Sequence, residues 1–388
     1  MKENNKLRQR IYLNDHWKFS HTWEEGMENV SYEEQGMEEV RLPHSNAEIP
    51  FNYGNEEAYQ ELMGYRLHFT AEESWQGKAA TVTFEGAAHE AVLYINGNEL
   101  LIHRCGYTAF SADLSPYLNY GGDNVLSVRL DSRETLNIPP FGKVIDYMTY
   151  GGIYREAYLE IHEKSSIKDV YAATGKVTEE NPLLYLTMEL DGWEEIQNKR
   201  LALELSLTPA DTPYMKEHTP ANLPTLMKNR IAIKKQLTKV KLPVQDVTLW
   251  DVDHPALFDL EMVLLADGEP LDERTVRMGF REIRFEADGF YLNGEKLRLR
   301  GLDRHQSYPY VGYAMPASMQ EMDADVLKKE LGLNAVRTSH YPQSHHFFNR
   351  CDEIGLLVFT EIPGWQHIGD EEWKKQAIVN TEEMVLQY

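Results

Sequence analysis

The sequence is poor in cysteine, in basic residues and in long apolar runs, and each shortage excludes a class of protein. Its two cysteines, Cys105 and Cys351, form neither a CxxC pair nor an evenly spaced framework, so a disulfide scaffold and a zinc ribbon are not expected. No stretch approaches the roughly 20 apolar residues of a membrane-spanning helix. The 39 basic residues face 62 acidic ones, and the net charge of −23 opposes binding to nucleic acid or to an anionic membrane. A neutral or small partner is therefore expected.

The beginning of the chain has no secretory signal. The opening MKENNKLRQRIYL is polar and basic, and Asn14, Asp15 and His16 follow where such a signal requires an apolar region. The sequence therefore predicts a cytoplasmic protein, with a leader that has already been removed as the alternative.

What the sequence does have is length and apolar content. Its 388 residues exceed the common domain size about two- to threefold, which predicts several domains with separate cores. Hydrophobic residues make up 42% and aromatic residues 11%, so there is enough material to fill those cores.

Residues 1–165 and 166–280 both have the pattern of all-β domains. Short strand-like runs alternate with turn residues, and Asn96-Gly97 between two such runs is a strong signal for a two-residue hairpin. The first block is predicted to be a jelly-roll β-sandwich and the second, from its length and runs, an immunoglobulin-like sandwich. Within the second block, residues 211–230 are predicted to form a long loop.

Residues 281–388 change to alternating strands and helices, which indicates a parallel α/β unit. Two hairpin signals, Asp288-Gly289 and Asn293-Gly294, lead to a predicted strand at 297–302. A capping box of Ser318 and Glu321 predicts a helix over 318–331. Further strands are predicted at 335–339 and 356–360, with helices at 343–354 and from 371. Three such units cannot close a (β/α)8 barrel, which needs about 250 residues, so the segment is an open α/β piece or a truncated barrel.

The carboxyl ends of these predicted parallel strands carry chemically active residues. They are Asp303, His305, Arg337, His340 and Glu361. Functional groups of a (β/α)8 barrel lie at this edge, so a site is expected there. Spacing alone would select Asp303 and Glu361 as the carboxylate pair of glycoside cleavage.

Two other clusters of polar residues lie along the chain. His345 and His346 next to His340 suggest a metal, but neighbours on a helix point about 100° apart, so no zinc site is expected. The stretch 144–154, VIDYMTYGGIY, places Asp146 among aromatics and glycines, a mixture typical of sugar sites. An incidental acid on a surface loop is the alternative for Asp146.

Several motifs resemble family-two glycoside hydrolases, which include β-galactosidases, β-glucuronidases and β-mannosidases. GLDRHQSYP at 301–309, LGLNAVRTSHYPQS at 331–344 and CDEIGLLVFTEIPGW at 351–365 are similar to the start of the family's barrel. YGGIYREAYLEI at 150–161 resembles its sugar-binding-domain signature, and LWDVDHPALFDL at 249–260 resembles the end of its immunoglobulin-like domain. The resemblance implies a multidomain, mainly β protein that ends in a truncated (β/α)8 barrel of about three βα units.

The resemblance also implies roles for individual residues. Asp146 would reach from the first domain into the barrel mouth to hold galactose hydroxyls, and His305 and His340 would bind further hydroxyls. Arg337 would orient the catalytic carboxylates, and Glu361 would support the site without catalysing, which sets aside the pairing of Asp303 with Glu361. The family's proton donor and nucleophile lie on barrel strands four and seven, which the resemblance places beyond residue 388, so the chain is expected to be inactive.

Metal ions are left open by the resemblance. Some relatives hold sodium beside the residue matching Asp146. Trp365 stands where some β-galactosidases have a magnesium ligand, whereas His367 matches another ligand of that site. A magnesium site of the same make is therefore not expected, and Trp365 is instead predicted to form a sugar-stacking wall. No metal ligand is assigned in this chain, and sodium or magnesium is left open for the complete enzyme.

The sequence as a whole predicts the N-terminal portion of a retaining glycoside hydrolase that cleaves terminal β-galactosides. A β-glucuronidase or β-mannosidase of the same family is the first alternative, and a non-catalytic carbohydrate-binding protein is the second. The expected partner is a galactoside or another neutral glycan.

An unpaired strand edge at residues 356–361 should cause self-association or local disorder, so a homo-oligomer is left open.

Overall fold

The first region packs two antiparallel sheets face to face. The computed structural model describes residues 2–4, 7–48, 50, 54–141, 145–219 and 225–388. The strands of this region are β1 Lys2–Asn4, β2 Gln9–Tyr12, β3 Trp17–Ser20, β4 Glu38–Val40, β5 Leu62–Thr70, β6 Ala79–Phe84, β7 Glu90–Ile95, β8 Asn98–Arg104, β9 Phe110–Asp113, β10 Asp123–Asp131 and β11 Ala157–His162. Within the described residues, one sheet has the order β1-β2-β11-β6-β9 and the other β4-β3-β5-β10-β7-β8. Short 3-10 helices occupy Glu56–Tyr59, Glu73–Trp75 and Ser115–Tyr117.

Alternating burial explains why these segments form a sandwich. In β6 and β11 every second side chain is buried, so one face of each strand joins the core and the other faces outward. The core between the sheets contains Trp17, Tyr65 and Phe84, each at most 1% exposed. Burying a large apolar side chain contributes about 1.5–3 kcal/mol, so this core dominates the stability of the region.

The second region is also a sandwich of two antiparallel sheets. Its strands are β12 Ser166–Gly175, β13 Leu183–Asp191, β14 Leu201–Pro209, β15 Met227–Ile233, β16 Leu237–Pro243, β17 Phe258–Ala266 and β18 Glu269–Met278. The described residues form sheets of order β12-β13-β16 and β15-β14-β17-β18, with a separate core between them. Two short helices, α1 Trp193–Ile196 and α2 Pro213–His218, lie beside the strands.

The predicted long loop at 211–230 is wrong in part. The segment contains α2 and the beginning of β15, and residues 220–224 lie outside the described residues. Helix α2 forms because Thr212 is its N-cap, with its hydroxyl accepting from the backbone N–H of Met215, and because Pro213 occupies the first helical position. Both signals were present in the sequence.

The third region begins with a three-stranded antiparallel sheet and continues as a parallel one. Its strands are β19 Ile283–Glu286, β20 Gly289–Leu292, β21 Glu295–Leu297, β22 Gly301–Arg304, β23 Ala335–Thr338 and β24 Leu357–Thr360. Its helices are α3 Ala317–Asp325, a π-helical continuation Val326–Glu330, α4 His345–Ile354 and α5 Glu371–Gln387. Among the described residues, β24 is an edge strand that pairs with β23. The mainly β fold with two sandwiches and the first strands of a barrel is thereby confirmed.

Several local predictions need correction. The strand expected at 297–302 is divided between β21 and β22. Ser318 does not cap α3, because the helix starts one residue earlier and Pro316 is its N-cap. The turn predicted at Asp288-Gly289 lies one residue earlier, since Gly289 already pairs with Glu286. The other two hairpin signals are confirmed.

The confirmed hairpins show why residue type decided the turns. Asn96 and Gly97 have φ of 49° and 84°, and Asn293 and Gly294 have φ of 52° and 85°. Positive φ at both central positions is the mark of the type I′ turn that matches strand twist, and asparagine and glycine tolerate it best.

None of the helices in the described part of the chain has the length and apolar character needed to cross a membrane.

Candidate sugar-binding site

The parallel register brings the ends of three strands to one edge. Arg304 of β22 lies beside Thr338 of β23, which lies beside Thr360 of β24. The residues that follow these three therefore emerge on the same side of the sheet. His305, His340 and Glu361 are such residues.

Glu361 holds a histidine and an arginine at this edge. Its carboxylate accepts from Nδ1 of His340 at 2.5 Å and from Nη2 of Arg337 at 2.8 Å. Asp303 lies 3.6 Å from Nη1 of Arg337. The hydrogen bond to Glu361 raises the pKa of the Arg337 guanidinium, so the arginine stays charged. Because a carboxylate only accepts, Nδ1 of His340 carries the proton, and its Nε2 is left for another partner.

His305 is oriented by aromatic rings from two regions. Its Nδ1 lies 3.2 Å from the hydroxyl of Tyr341. The ring of Tyr341 stacks on Tyr107 of the first region, with centroids 4.2 Å apart and planes at 9°. Burial lowers the pKa of His305, and the imidazole of His340 lowers it further. His305 is therefore neutral at pH 7.

Asp146 reaches this edge from the first region. Its neighbour Tyr147 places its ring 5.2 Å from His305 and 5.8 Å from His340. Asp146 itself is exposed. Its negative charge raises the pKa of His305 and so opposes the effect of burial. The structure thus places the imidazoles of His305 and His340 beside the ring of Tyr147, with the charge of Asp146 close enough to act on His305. Val144, the first residue of the predicted sugar-site stretch, lies outside the described residues.

Trp365 adds a second ring at the same place. Its ring lies 5.8 Å from that of His340 at an interplanar angle of 25°, and 37% of the residue is exposed. An exposed indole beside an imidazole can cover the C–H face of a sugar. A cavity of about 420 Å³ continues from Asp303, Arg337 and Glu361 along the open face of the parallel strands.

The histidines that the sequence suggested as metal ligands have neighbours of other kinds in this structure. His367 packs against Phe141 and Trp373, with ring centroids 5.6 and 6.1 Å away. Across the residues that the structure describes, no three histidine, cysteine or acidic side chains converge as metal ligands. His345 and His346 instead bond Glu85 at 2.6 Å and Glu156 at 2.9 Å, so they link the third region to the first.

Sequence reasoning missed the residues that join the two regions. Arg155 is 3% exposed and donates to Gln306 and to the carbonyl of Pro342, each at 2.9 Å. The contacts of Tyr107, Tyr147 and Tyr341 were also not predicted. The available signal was position, because Tyr147 follows Asp146 and Tyr341 follows His340 directly.

Three family models match the chain in succession. Residues 11–162 match the sugar binding domain of glycosyl hydrolases family 2. Residues 167–281 match the model described as glycosyl hydrolases family 2, and residues 283–384 match the TIM barrel domain of that family.

Individual relatives agree with these models. The β-galactosidase of Thermoanaerobacter pseudethanolicus is 42% identical over 376 residues, which are 96% of this chain and 48% of the relative. The β-galactosidase of Thermoanaerobacterium thermosulfurigenes is also 42% identical, and the match covers 98% of this chain and 52% of the relative. A crystal structure of Bacteroides uniformis β-glucuronidase has a TM-score of 0.84 at 27% identity, covering 98% of this chain and 45% of that one. The chain spans about half the length of the curated relatives it matches.

Proposed function

The chain belongs to family 2 of the glycosyl hydrolases, and from that premise we propose that it forms the sugar-recognition part of a retaining β-galactosidase. The match to a sugar binding domain gives a glycan as its ligand. The two relatives at 42% identity, both β-galactosidases, support galactose as the sugar. The observation that carries the proposal is that His305 and His340 lie beside the ring of Tyr147 while the charge of the neighbouring Asp146 acts on His305.

This arrangement suits a sugar because it offers complementary contacts. The Asp146 carboxylate accepts hydrogen bonds from hydroxyls, and Nε2 of His340 is oriented by Glu361 for another hydroxyl. The Trp365 ring covers a C–H face. Some hydrogen bonds to the sugar become stronger as the sugar ring flattens towards the oxocarbenium ion. Such bonds lower the activation barrier of hydrolysis without strengthening the binding of the substrate in its ground state.

The charges around the site favour a neutral sugar over a uronic acid. Asp146, Asp303 and Glu361 bring three carboxylates to this edge, whereas Arg337 is held between two of them. A sugar carboxylate placed here would meet like charge and no uncommitted arginine among the residues named above. We therefore favour a galactoside over a glucuronide.

The role of this chain in the reaction is to bind and orient. Retaining hydrolysis needs an acid and a nucleophile, which the family resemblance assigns to barrel strands four and seven. The parallel sheet of the described residues has three strands. We expect no turnover of a nitrophenyl β-galactoside by the 388-residue chain after host enzymes have been removed. Turnover that persists through that purification would contradict the assignment.

Sugar binding provides the direct test. Galactose should perturb the NMR signals of Tyr147 and Trp365, and glucuronate should do so more weakly. Asp146→Ala should weaken galactose binding about tenfold or more, since it removes a charged hydrogen-bond acceptor. The control is Asp211→Ala, because Asp211 is an exposed acid that pairs with Lys216 in the second region.

Two results would contradict the proposal. One is tighter binding of glucuronate than of galactose. The other is an equal effect of Asp146→Ala and Asp211→Ala on galactose binding.

A further inference from the structure

A second cavity, of about 630 Å³, lies between the first and second regions, away from the site described above. One wall is the outer face of the sheet strands β2, β11, β6 and β9. The opposite wall is formed by β12 and β18, and the end of α5 also borders the cavity. This volume is in the range of small-molecule sites and is enough for a sugar.

The deep part of the cavity gathers three arginines around one carboxylate. Glu160 lies 3.1 Å from Arg8, 2.9 Å from Arg10 and 3.5 Å from Arg274. Glu160 is the shared partner, and its side chain is 14% exposed. Three guanidinium groups this close repel one another unless further negative charge is present.

One of these arginines is neutralised by another acid. Asp272 accepts from Nε and Nη2 of Arg8 at 2.7 and 2.6 Å and from the backbone N–H of Ile167 at 2.6 Å. Arg10 and Arg274 are then left to share Glu160, so one positive charge is in excess. Burial lowers the pKa of Arg274, Glu160 opposes that shift and Arg8 adds to it. A bound anion would offset this excess.

Two groups on the cavity wall have hydrogen-bonding capacity to spare. The hydroxyl of Ser166 is buried, and it has no hydrogen-bond partner within the described residues. The guanidinium of Arg274 has five donors. In the described part of the chain the one ion pair of this guanidinium is with Glu160. An unpaired buried hydroxyl costs free energy, so a ligand that bonds it is favoured.

The acids at the cavity rim do not cancel the excess charge. Asp169 and Asp191 are exposed, so water and salt screen them. Glu383 is already engaged, because it accepts from the hydroxyl of Thr108 at 2.6 Å and lies 3.3 Å from His103. The arginines are more deeply placed and therefore dominate the potential that a ligand inside the cavity would meet.

We propose that this cavity binds an oxyanion group, with Arg274 and Ser166 as its contacts. The guanidinium fork matches sulfate, phosphate and carboxylate alike. A free ion would leave most of the 630 Å³ empty, whereas an acidic sugar would place its ring along the wall, where Thr83 and Ser111 carry hydroxyls. The ligand class is accordingly an acidic monosaccharide bound through its anionic group.

The test uses the whole chain with methyl-labelled isoleucine and valine. Galactose 6-phosphate and galactose 6-sulfate should shift the methyl signals of Ile167 and Val276, which line the cavity. Arg274→Gln should raise the dissociation constant about tenfold or more, and Ser166→Ala about threefold, as expected for a charged and a neutral hydrogen bond. Ser166→Ala removes a hydroxyl without a partner, so it should leave folding unchanged.

The matched control is Arg277→Gln on the same strand. Arg277 bonds Asp259 at 3.0 Å and does not line the cavity, so its loss should leave binding unchanged.

Equal binding of inorganic sulfate would support the oxyanion contact and assign it to the free ion. Three outcomes would overturn the proposal: no shift at Ile167, an equal shift with neutral galactose, or unchanged binding in Arg274→Gln. Because Ile167 and Val276 line a cavity that contains neither Tyr147 nor Trp365, failure here leaves the proposed galactose site untouched.

Discussion

The first region meets its two neighbours through different chemistry. Towards the barrel strands it presents aromatic rings, with Tyr107 stacked on Tyr341 and Tyr147 against His305. Towards the second sandwich it presents an ion network, with Arg8 held by Asp272 at 2.6 Å. Aromatic contacts depend on area and ring geometry, whereas ion pairs depend on salt and protonation. The aromatic contacts beside the proposed galactose site should therefore be less sensitive to salt and pH than the ion network, whereas the pairs of His345 with Glu85 and of His346 with Glu156 at the same interface respond to pH.

The largest effect is expected at the ionic interface. Arg8→Met would leave the buried carboxylate of Asp272 without its cation, which typically costs about 3–5 kcal/mol. The measurement is the shift of the calorimetric transition in which the first region unfolds. Arg10→Met is the control, because Arg10 is 31% exposed in its pair with Glu160 and should cost about 1 kcal/mol. Equal losses in the two variants would remove the distinction between a fully buried arginine and a half-buried one.

A smaller effect is expected at the aromatic interface. In a double-mutant cycle with Tyr107→Leu and Tyr341→Leu, the stacked rings should show a coupling of about 0.5–1.5 kcal/mol. The coupling should be the same in 0.05 M and 1 M salt, since no charge is involved. A coupling energy that decreases as the salt concentration rises would mean that the aromatic interface depends on charge, as the ionic interface does.

The smallest effect concerns pH, at the bond between His346 and Glu156. Burial lowers the pKa of His346, but the hydrogen bond to Glu156 and the negative charges of Glu156, Glu85 and Glu321 together outweigh burial, and the pKa is raised above 6.5. A raised folded-state pKa stabilises the protein fully below the unfolded value and less as pH rises through the folded value. The stability difference between wild type and His346→Gln should therefore shrink from pH 6 to pH 9. A difference that is constant over this range would contradict the assignment.

Strand patterns and turn residues predicted much of the fold. Alternating burial in β6 and β11 follows from alternating residue types, and Asn96-Gly97 and Asn293-Gly294 fix their turns locally. Boundaries were less predictable where tertiary context decides. Ser318 had the sequence of an N-cap, yet α3 begins one residue before it.

The site was only partly predictable, because its members meet through folding. Asp146, His305, His340 and Trp365 were identified from motifs, and the structure brings them to one edge. The contact between Tyr107 and Tyr341 joins residues far apart in sequence, and no local pattern indicates it. The network around Glu160 was missed for the same reason, since Arg8, Glu160 and Arg274 belong to three distant strands.

The division of the site between two regions has a consequence for how its selectivity can change. Asp146 and Tyr147 lie on a loop of the first region, whereas His305 and His340 follow barrel strands. Under the proposed assignment, substitutions in that loop would alter which sugar is accepted while the barrel residues stay as they are. Loops tolerate such variation better than strands do. The loop of the first region and the strand ends of the barrel can thus be inherited and varied as separate modules within one lineage.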